Sequence, residues 1–171
     1  MKRDIHKITL SAIISALIVV IILLGTFIEL LDITTAALCS LLVFAVMIEA
    51  KGKYPILVYL TSSTLLLIFV PLSSATLYFI GFFGYYPIIR NALVKKKKTI
   101  RKIICLVIFN VAMSILMLLF KAVFALQNEP LAMYALLIAT CNIFFVCFDY
   151  LSDVFTFIYF KKIRNKIKFI K

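Results

Sequence analysis

Long apolar segments separated by short polar connections dominate the pattern along the chain. A transmembrane helix needs about 20 mostly apolar residues, because each residue rises about 1.5 Å across a hydrocarbon core about 30 Å thick. Charged and turn-forming residues divide the sequence into six segments of roughly this length. The predicted spans cover residues 8–28, 33–48, 55–71, 74–89, 103–121 and 132–160. The pattern therefore predicts an all-α fold, a polytopic membrane bundle of six transmembrane helices.

The composition agrees with a chain that lies almost entirely in lipid. Apolar residues make up 65% and charged residues 15% of the 171 positions, whereas soluble domains are nearer half apolar. Six spans with short connections use the whole chain, so residues 1–171 are predicted to form a single transmembrane domain. The third and fourth spans are separated only by Pro71 and its neighbours, and we expect a tight hairpin there because proline disfavours helix continuation.

Basic residues alternate between successive connections. They occupy the N-terminus, the second and fourth connections and the C-terminal tail, and of the 19 lysines and arginines only Lys121 falls elsewhere. Cytoplasmic connections are enriched in these residues, so an even number of spans is predicted, with the N-terminus and the C-terminus both cytoplasmic. The net charge of +12 is then an orientation signal that also attracts anionic membrane lipid, and no nucleic-acid partner is expected.

Two carboxylates, Asp149 and Asp153, interrupt the sixth apolar segment. Asn142 and Thr156 each lie seven residues from Asp149, so the four side chains share one face of a helix. An ionised side chain in the bilayer centre costs about 3 kcal/mol on insertion scales, and the stripe should therefore face the interior of the bundle. It serves either helix packing through hydrogen bonds or a functional site.

The fifth span carries a second polar face. Asn110, Ser114 and Lys121 are spaced by four and seven residues, which aligns them on one side of a helix. Lys121 either extends to the outer membrane interface or supplies positive charge to an anionic ligand. Tyr134, near the start of the sixth span, is a candidate wall of the same site or an interface anchor.

Small residues form a strip on the first span and a notch in the fourth. Ser11, Ala12, Ser15 and Ala16 make two overlapping pairs of small residues four apart, a spacing that lets a neighbouring membrane helix approach closely. In the fourth span, Gly81 and Gly84 lie before Pro87 and predict a packing notch with a kink.

The sequence lacks the residues that several classes of enzyme need. The single histidine, His6, precedes the first span, which leaves no histidine base inside the bundle. Walker-type and G-x-G-x-x-G phosphate loops are missing from the sequence. The four cysteines have no metal-ligand or disulfide spacing. A lipid-processing enzyme that uses Asp149 and Asp153 with Mg²⁺ lacks further nearby acidic residues, so we expect neither catalysis nor a cofactor.

The first span contains the sharpest motif, Ala12-x-x-x-Ala16 near its start. With the size, the six spans and the cytoplasmic termini, it resembles the substrate-binding S component of energy-coupling factor (ECF) transporters. The resemblance implies a binding subunit for a vitamin or other micronutrient in a bacterial plasma membrane, with a transmembrane coupling subunit and two ABC-type ATPases as partners. It further implies that Ala12 and Ala16, with Ser15 beside them, contact the coupling subunit.

The same resemblance implies a small-molecule site in the outer half of the bundle. The residues transferred to it are Asn110, Ser114, Lys121, Tyr134 and Asn142, with Glu29 as a candidate lid and Asp149 at a deeper level. A competing interpretation is a structural or assembly protein of the bacterial cell envelope that resembles rod-shape-determining membrane proteins. It predicts no ligand pocket and assigns the polar stripe of the sixth span to helix packing.

Overall fold

The computed structural model describes residues 2–28, 31–50, 52–71, 73–124, 131–159 and 161, and the side chains within 5–119 and 136–161 of these ranges. The described residues form helices and turns without a strand, which confirms the all-helical prediction. The helices are α1 Lys2–Gly25, α2 Asp32–Glu49, α3 Tyr54–Phe69, α4 Ser74–Tyr78, α5 Tyr86–Ala92, α6 Lys98–Phe124 and α7 Leu131–Ile158, with a π-helical segment, Phe79–Phe83, between α4 and α5.

Four stretches of helix are long and apolar enough to cross a membrane. They are Ile5–Gly25, Asp32–Glu49, Lys98–Leu119 and Leu136–Ile158, while Tyr54–Phe69 is a shorter apolar helix. These helices also expose many large apolar side chains, among them Leu24, Ile68, Leu118 and Ile143. A water-soluble bundle rarely exposes such continuous apolar surface, so the exposed belt belongs in lipid.

The chain divides into two compact units, Met1–Gln127 and Asn128–Lys171. The first unit contains α1 to α6, and the second contains α7. In the first unit, α1 packs against both α2 and α3. Gly25 permits a close approach of α1 to α2, because a Cβ at this position would lie 2.6 Å from Cγ2 of Thr35.

Prolines and a glycine explain where several helices begin and end. Pro55 and Pro87 occupy the first turns of α3 and α5, where a missing N–H leaves no hydrogen bond unmade. Gly52 joins α2 to α3 with a φ of 62°, a left-handed conformation that glycine adopts at little cost. Pro71 is exposed in the turn between α3 and α4, the position at which a hairpin was predicted.

The fourth predicted span is not one regular helix. Residues 74–89 were predicted as a single span, whereas the structure has α4, the π-helical segment and α5 in succession. The helical part also continues to Ala92, beyond the predicted end. Arg90, which the charge pattern assigned to a cytoplasmic connection, therefore lies within α5 and is buried.

Candidate functional site

The small residues of α1 point in two different directions. Ser11 and Ser15 are buried, and each hydroxyl donates to a backbone carbonyl one turn earlier. The Ser15 hydroxyl also lies 2.9 Å from the hydroxyl of Thr61 on α3. The serine pair is thus part of the contact between α1 and α3, and the structure places Ser15 on the side of α1 that faces the bundle.

Ala12 and Ala16 lie about 100° around α1 from the two serines and are exposed. Their neighbours on this surface are larger exposed apolar side chains, including Ile13, Leu17 and Val20. Two methyl groups one turn apart between these larger groups make a shallow strip along the helix. Such a strip suits close contact with a second membrane helix. We call Ala12 and Ala16 the alanine strip.

Contacts on the inner side hold α1 in a defined orientation. The Cys39 thiol of α2 lies 3.8 Å from the carbonyl oxygen of Ile18, and Ile18 and Ile22 are fully buried. Near the start of the helix, the Lys7 ammonium group lies 5.6 Å from the ring centre of Tyr54 on α3. These contacts run along the inner side of α1. They fix the rotation of the helix about its axis, and therefore the direction in which the alanine strip faces.

The π-helical segment changes the hydrogen-bond register of the fourth span. The Gly84 N–H donates to the carbonyl oxygen of Phe79 at 2.7 Å, five residues back, and so does not pair with Ile80 as it would in an α-helix. The Tyr59 hydroxyl of α3 donates to the Ile80 carbonyl oxygen at 3.0 Å. The Tyr85 hydroxyl donates to the Gly81 carbonyl oxygen at 2.6 Å. Tyrosine hydroxyls thus bond to two consecutive carbonyl groups of the irregular backbone.

An aromatic cluster surrounds this segment. Phe82 is its centre, with ring centroids 4.9 Å from Phe109 of α6 and 5.3 Å from Tyr86. The other members are Phe44, Tyr59, Phe79, Phe83 and Tyr85. Edge-to-face ring pairs such as Phe82–Phe109 each contribute about 0.5–1.5 kcal/mol beyond their burial. The cluster therefore joins α2, α3 and α6 to the fourth span.

The predicted glycine notch is confirmed. A Cβ at Gly81 would lie 2.8 Å from Cδ1 of Leu116 on α6, and one at Gly84 would lie 2.5 Å from Cδ2 of Tyr59. Both glycines therefore allow a neighbouring side chain to rest directly on the backbone. The notch serves packing within the first unit.

Arg90 is a feature that sequence reasoning missed. Its side chain is only 6% exposed, and the guanidinium carbon lies 5.5 Å from the ring centre of Phe44 and 5.9 Å from that of Tyr86. Cation–π contacts of this kind are stronger when water is excluded. Arg90 lies four residues after Tyr86, a spacing that places both residues on one face of a helix. The predicted fourth span ended at residue 89, so Arg90 was assigned to the connection.

Removing the Tyr59 hydroxyl is expected to destabilise the first unit. Tyr59→Phe leaves the Ile80 carbonyl without this donor, and the loss of a partly buried hydrogen bond should lower the free energy of unfolding by about 0.5–1.5 kcal/mol. Tyr54→Phe is the matched control on the same helix, because the ring of Tyr54 contacts Lys7 and remains. Thermal unfolding in detergent micelles measures both variants. Equal stability of the two would show that the hydroxyl contributes nothing to the π-helical segment.

The predicted polar face of α6 is only partly buried. Asn110 is partly buried and donates to the carbonyl oxygen of Leu106 at 3.0 Å. Ser114 is exposed and donates to the carbonyl oxygen of Asn110 at 2.8 Å. Both side chains thus bond to their own helix. Of the other predicted ligand residues, Glu29 and the side chains of Lys121 and Tyr134 lie outside the described residues.

The polar stripe of α7 occupies the less exposed side of that helix. Asp149 is buried, whereas Asn142, Asp153 and Thr156 are partly buried. Ser152 is fully buried and accepts the Thr156 hydroxyl at its carbonyl oxygen, 2.7 Å away. Sequence reasoning left out Ser152, although its spacing of three from Asp149 and four from Thr156 places it on the same face. Within the described part of the chain, no three His, Cys, Asp or Glu residues are grouped to hold a metal ion.

The apolar helices and their exposed belt define the class to which the chain belongs, an all-helical membrane protein. Its most distinctive surface is the alanine strip of α1. No family model, curated protein or solved structure matches the chain.

Proposed function

We propose that the chain is the membrane-embedded substrate-binding subunit of an uptake transporter for a vitamin or other micronutrient, similar to ECF S components. The observation that carries the proposal is the outward orientation of Ala12 and Ala16 on a helix whose inner side already packs on α2 and α3. A surface of this kind supports a helical partner in the membrane. In the proposed assembly, that partner is the transmembrane coupling subunit.

The physical basis is the way in which membrane helices associate. Burying apolar surface gives little advantage in lipid, so helices associate through close packing and interhelical hydrogen bonds, and small residues permit that packing. On α1 the two serines already contribute to the inner contact, with Ser15 bonded to Thr61. The two alanines make no such internal contact. They are the small residues of this helix that remain available to a partner.

The proposal includes six spans with both termini in the cytoplasm. The broken fourth span and the shorter α3 would cross together with the four longer apolar helices. The alternation of lysine-rich and lysine-poor connections supports this orientation. In this orientation the start of α1, and therefore the alanine strip, would lie in the cytoplasmic half of the membrane.

Energy for transport would come from the partners. The sequence has no nucleotide-binding loop, so the two ABC-type ATPases would hydrolyse ATP while this chain supplies specificity. Asn110 and Ser114 on α6, and Asn142 and Asp149 on α7, remain predictions for ligand contact. The ligand itself would be a small molecule that these neutral and acidic side chains can hydrogen-bond.

Purification from native membranes tests the proposal directly. A tagged chain, extracted in mild detergent and analysed by mass spectrometry, is expected to bring with it one coupling subunit and two ABC-type ATPases in stable proportion. Recovery of cell-wall synthesis proteins in their place would overturn the transporter proposal in favour of an envelope assembly protein. Recovery of no reproducible partner would also overturn it, because the proposed subunit transports only within the complex.

A further inference from the structure

The connection between α5 and α6 presents four consecutive lysines. Lys95, Lys96, Lys97 and Lys98 are all exposed. Backbone hydrogen bonds order this connection, from the Lys96 N–H to the carbonyl oxygen of Leu93 at 3.0 Å and from the Arg101 N–H to that of Lys97 at 3.0 Å. The four ammonium groups are therefore displayed by a defined turn.

The sequence on either side of this turn carries charge of one sign. The sequence contains no acidic residue between Glu49 and Glu129, so α5, the connection and α6 carry none, while Arg101 and Lys102 add to the lysines. The first turn of α6 likewise has no acidic side chain. The positive end of the α6 dipole adds to the same field. This surface is complementary to an anion.

Exposed apolar side chains accompany the lysines. Val94 precedes them, and Ile100 and Ile103 follow on the first turns of α6; their side chains are 60%, 44% and 56% exposed. A soluble anion or an acidic protein in water would leave these groups in contact with solvent. A lipid surface takes both kinds of group, since apolar side chains enter the acyl boundary while lysines reach the phosphate level.

We propose that the turn at residues 93–98 and the start of α6 form a binding site for anionic phospholipid headgroups. Lys95, Lys96, Lys97 and Lys98 contact the headgroup phosphates, and Val94 and Ile100 contact the adjoining acyl chains. Lipid bound here stabilises the junction between α5 and α6. The site is independent of the transported substrate and of the proposed function.

Lipid-dependent thermal unfolding of the whole chain tests this site. The protein in neutral detergent micelles receives phosphatidylglycerol as the probe, with phosphatidylcholine for comparison and inorganic phosphate as the anion alone. Phosphatidylglycerol is expected to raise the unfolding temperature saturably, and the other two are not. Replacing Lys95, Lys96, Lys97 and Lys98 by glutamine should raise the half-saturating lipid concentration at least tenfold. Two variants with two substitutions each, Lys95→Gln with Lys96→Gln and Lys97→Gln with Lys98→Gln, serve if the fourfold variant does not fold.

A matched variant separates a local site from overall charge. Replacing Lys162, Lys166, Lys168 and Lys171 by glutamine removes the same four charges from the C-terminal tail and should leave the half-saturating concentration within about twofold. Equal weakening by the tail variant would overturn the proposal, because overall charge would then account for binding. A phosphate response equal to that of the lipid would overturn it as well. Val94→Asn should reduce the rise in unfolding temperature that phosphatidylglycerol causes. An unchanged rise would show that Val94 does not contact the acyl chains.

Discussion

Leucine at both Ala12 and Ala16 is expected to reduce assembly with the proposed coupling subunit at least tenfold while the chain stays folded. Both methyl groups face outward, so the larger side chains meet lipid in the isolated protein and create no clash inside the bundle. In the complex they fill the alanine strip and keep the partner helix from approaching. Overpacking costs about 1–3 kcal/mol at each site, which corresponds to at least a tenfold loss of recovered partner. Co-purification yield measures assembly, and thermal unfolding measures the fold.

Ala139→Leu is the matched control for this experiment. Ala139 is an exposed alanine on α7, so the substitution makes, at one position of another exposed surface, the change of volume that the test variant makes at each of two. Its assembly yield should equal that of the unchanged protein. Full assembly of the Ala12→Leu, Ala16→Leu protein would remove the docking role of the alanine strip. A loss of thermal stability in that variant would instead show that the two alanines pack internally.

Alanine at Gly84 is expected to destabilise the first unit by about 1–3 kcal/mol through overpacking. Its Cβ would lie 2.5 Å from Cδ2 of Tyr59 and 2.9 Å from the carbonyl oxygen of Phe79. The carbonyl is backbone, and it also accepts the hydrogen bond from the Gly84 N–H. Relief therefore requires the π-helical segment to move. Thermal or denaturant unfolding in micelles measures the change.

Gly81→Ala provides the comparison within the same notch. The nearest atoms to a Cβ at this position belong to the end of the Leu116 side chain, which can change rotamer. Alanine also favours helical backbone by about 1 kcal/mol relative to glycine, so the net effect at Gly81 should be close to zero. Equal destabilisation by the two substitutions would contradict the view that the Phe79 carbonyl and the Tyr59 ring restrict Gly84 specifically.

The helices themselves follow from local features of the sequence. Apolar runs and their flanking charges predicted helical segments close to α1, α2, α3 and α7, since an apolar run in lipid has to pair its own backbone groups. Charged and turn-forming residues marked the connection between α2 and α3 in the same local way. The ends of α5 and α6 were less predictable, because helices can continue past the hydrocarbon core into the basic connections.

The fourth span shows where local reasoning was insufficient. Gly81 and Gly84 indicated a notch, but the π-helical register depends on partners that lie elsewhere in the chain. Tyr59 on α3 supplies the donor for the Ile80 carbonyl, and Phe109 on α6 packs on Phe82. A register that needs side chains from other helices is not encoded in the residues that adopt it.

The small residues of α1 also show the difference between what the sequence predicts and what the packing of the helices decides. Sequence spacing placed Ser11, Ala12, Ser15 and Ala16 on neighbouring strips of one helix. The resemblance to ECF S components implied docking through the alanines together with Ser15. The structure turns Ser15 toward Thr61 of α3 and leaves Ala12 and Ala16 exposed. Rotation of a helix about its axis depends on its neighbours, so periodicity alone could not separate the two pairs.

The sequence by itself determined that this is an all-helical membrane protein, because the free energy of placing apolar residues in lipid adds up along each segment without reference to other segments. It also determined the alternation of basic and non-basic connections. Tertiary structure decided which face of α1 is exposed, how the fourth span breaks, and that Arg90 is buried against Phe44 and Tyr86. Those properties arise from pairs of residues far apart in the chain, and they exist only when the helices are packed.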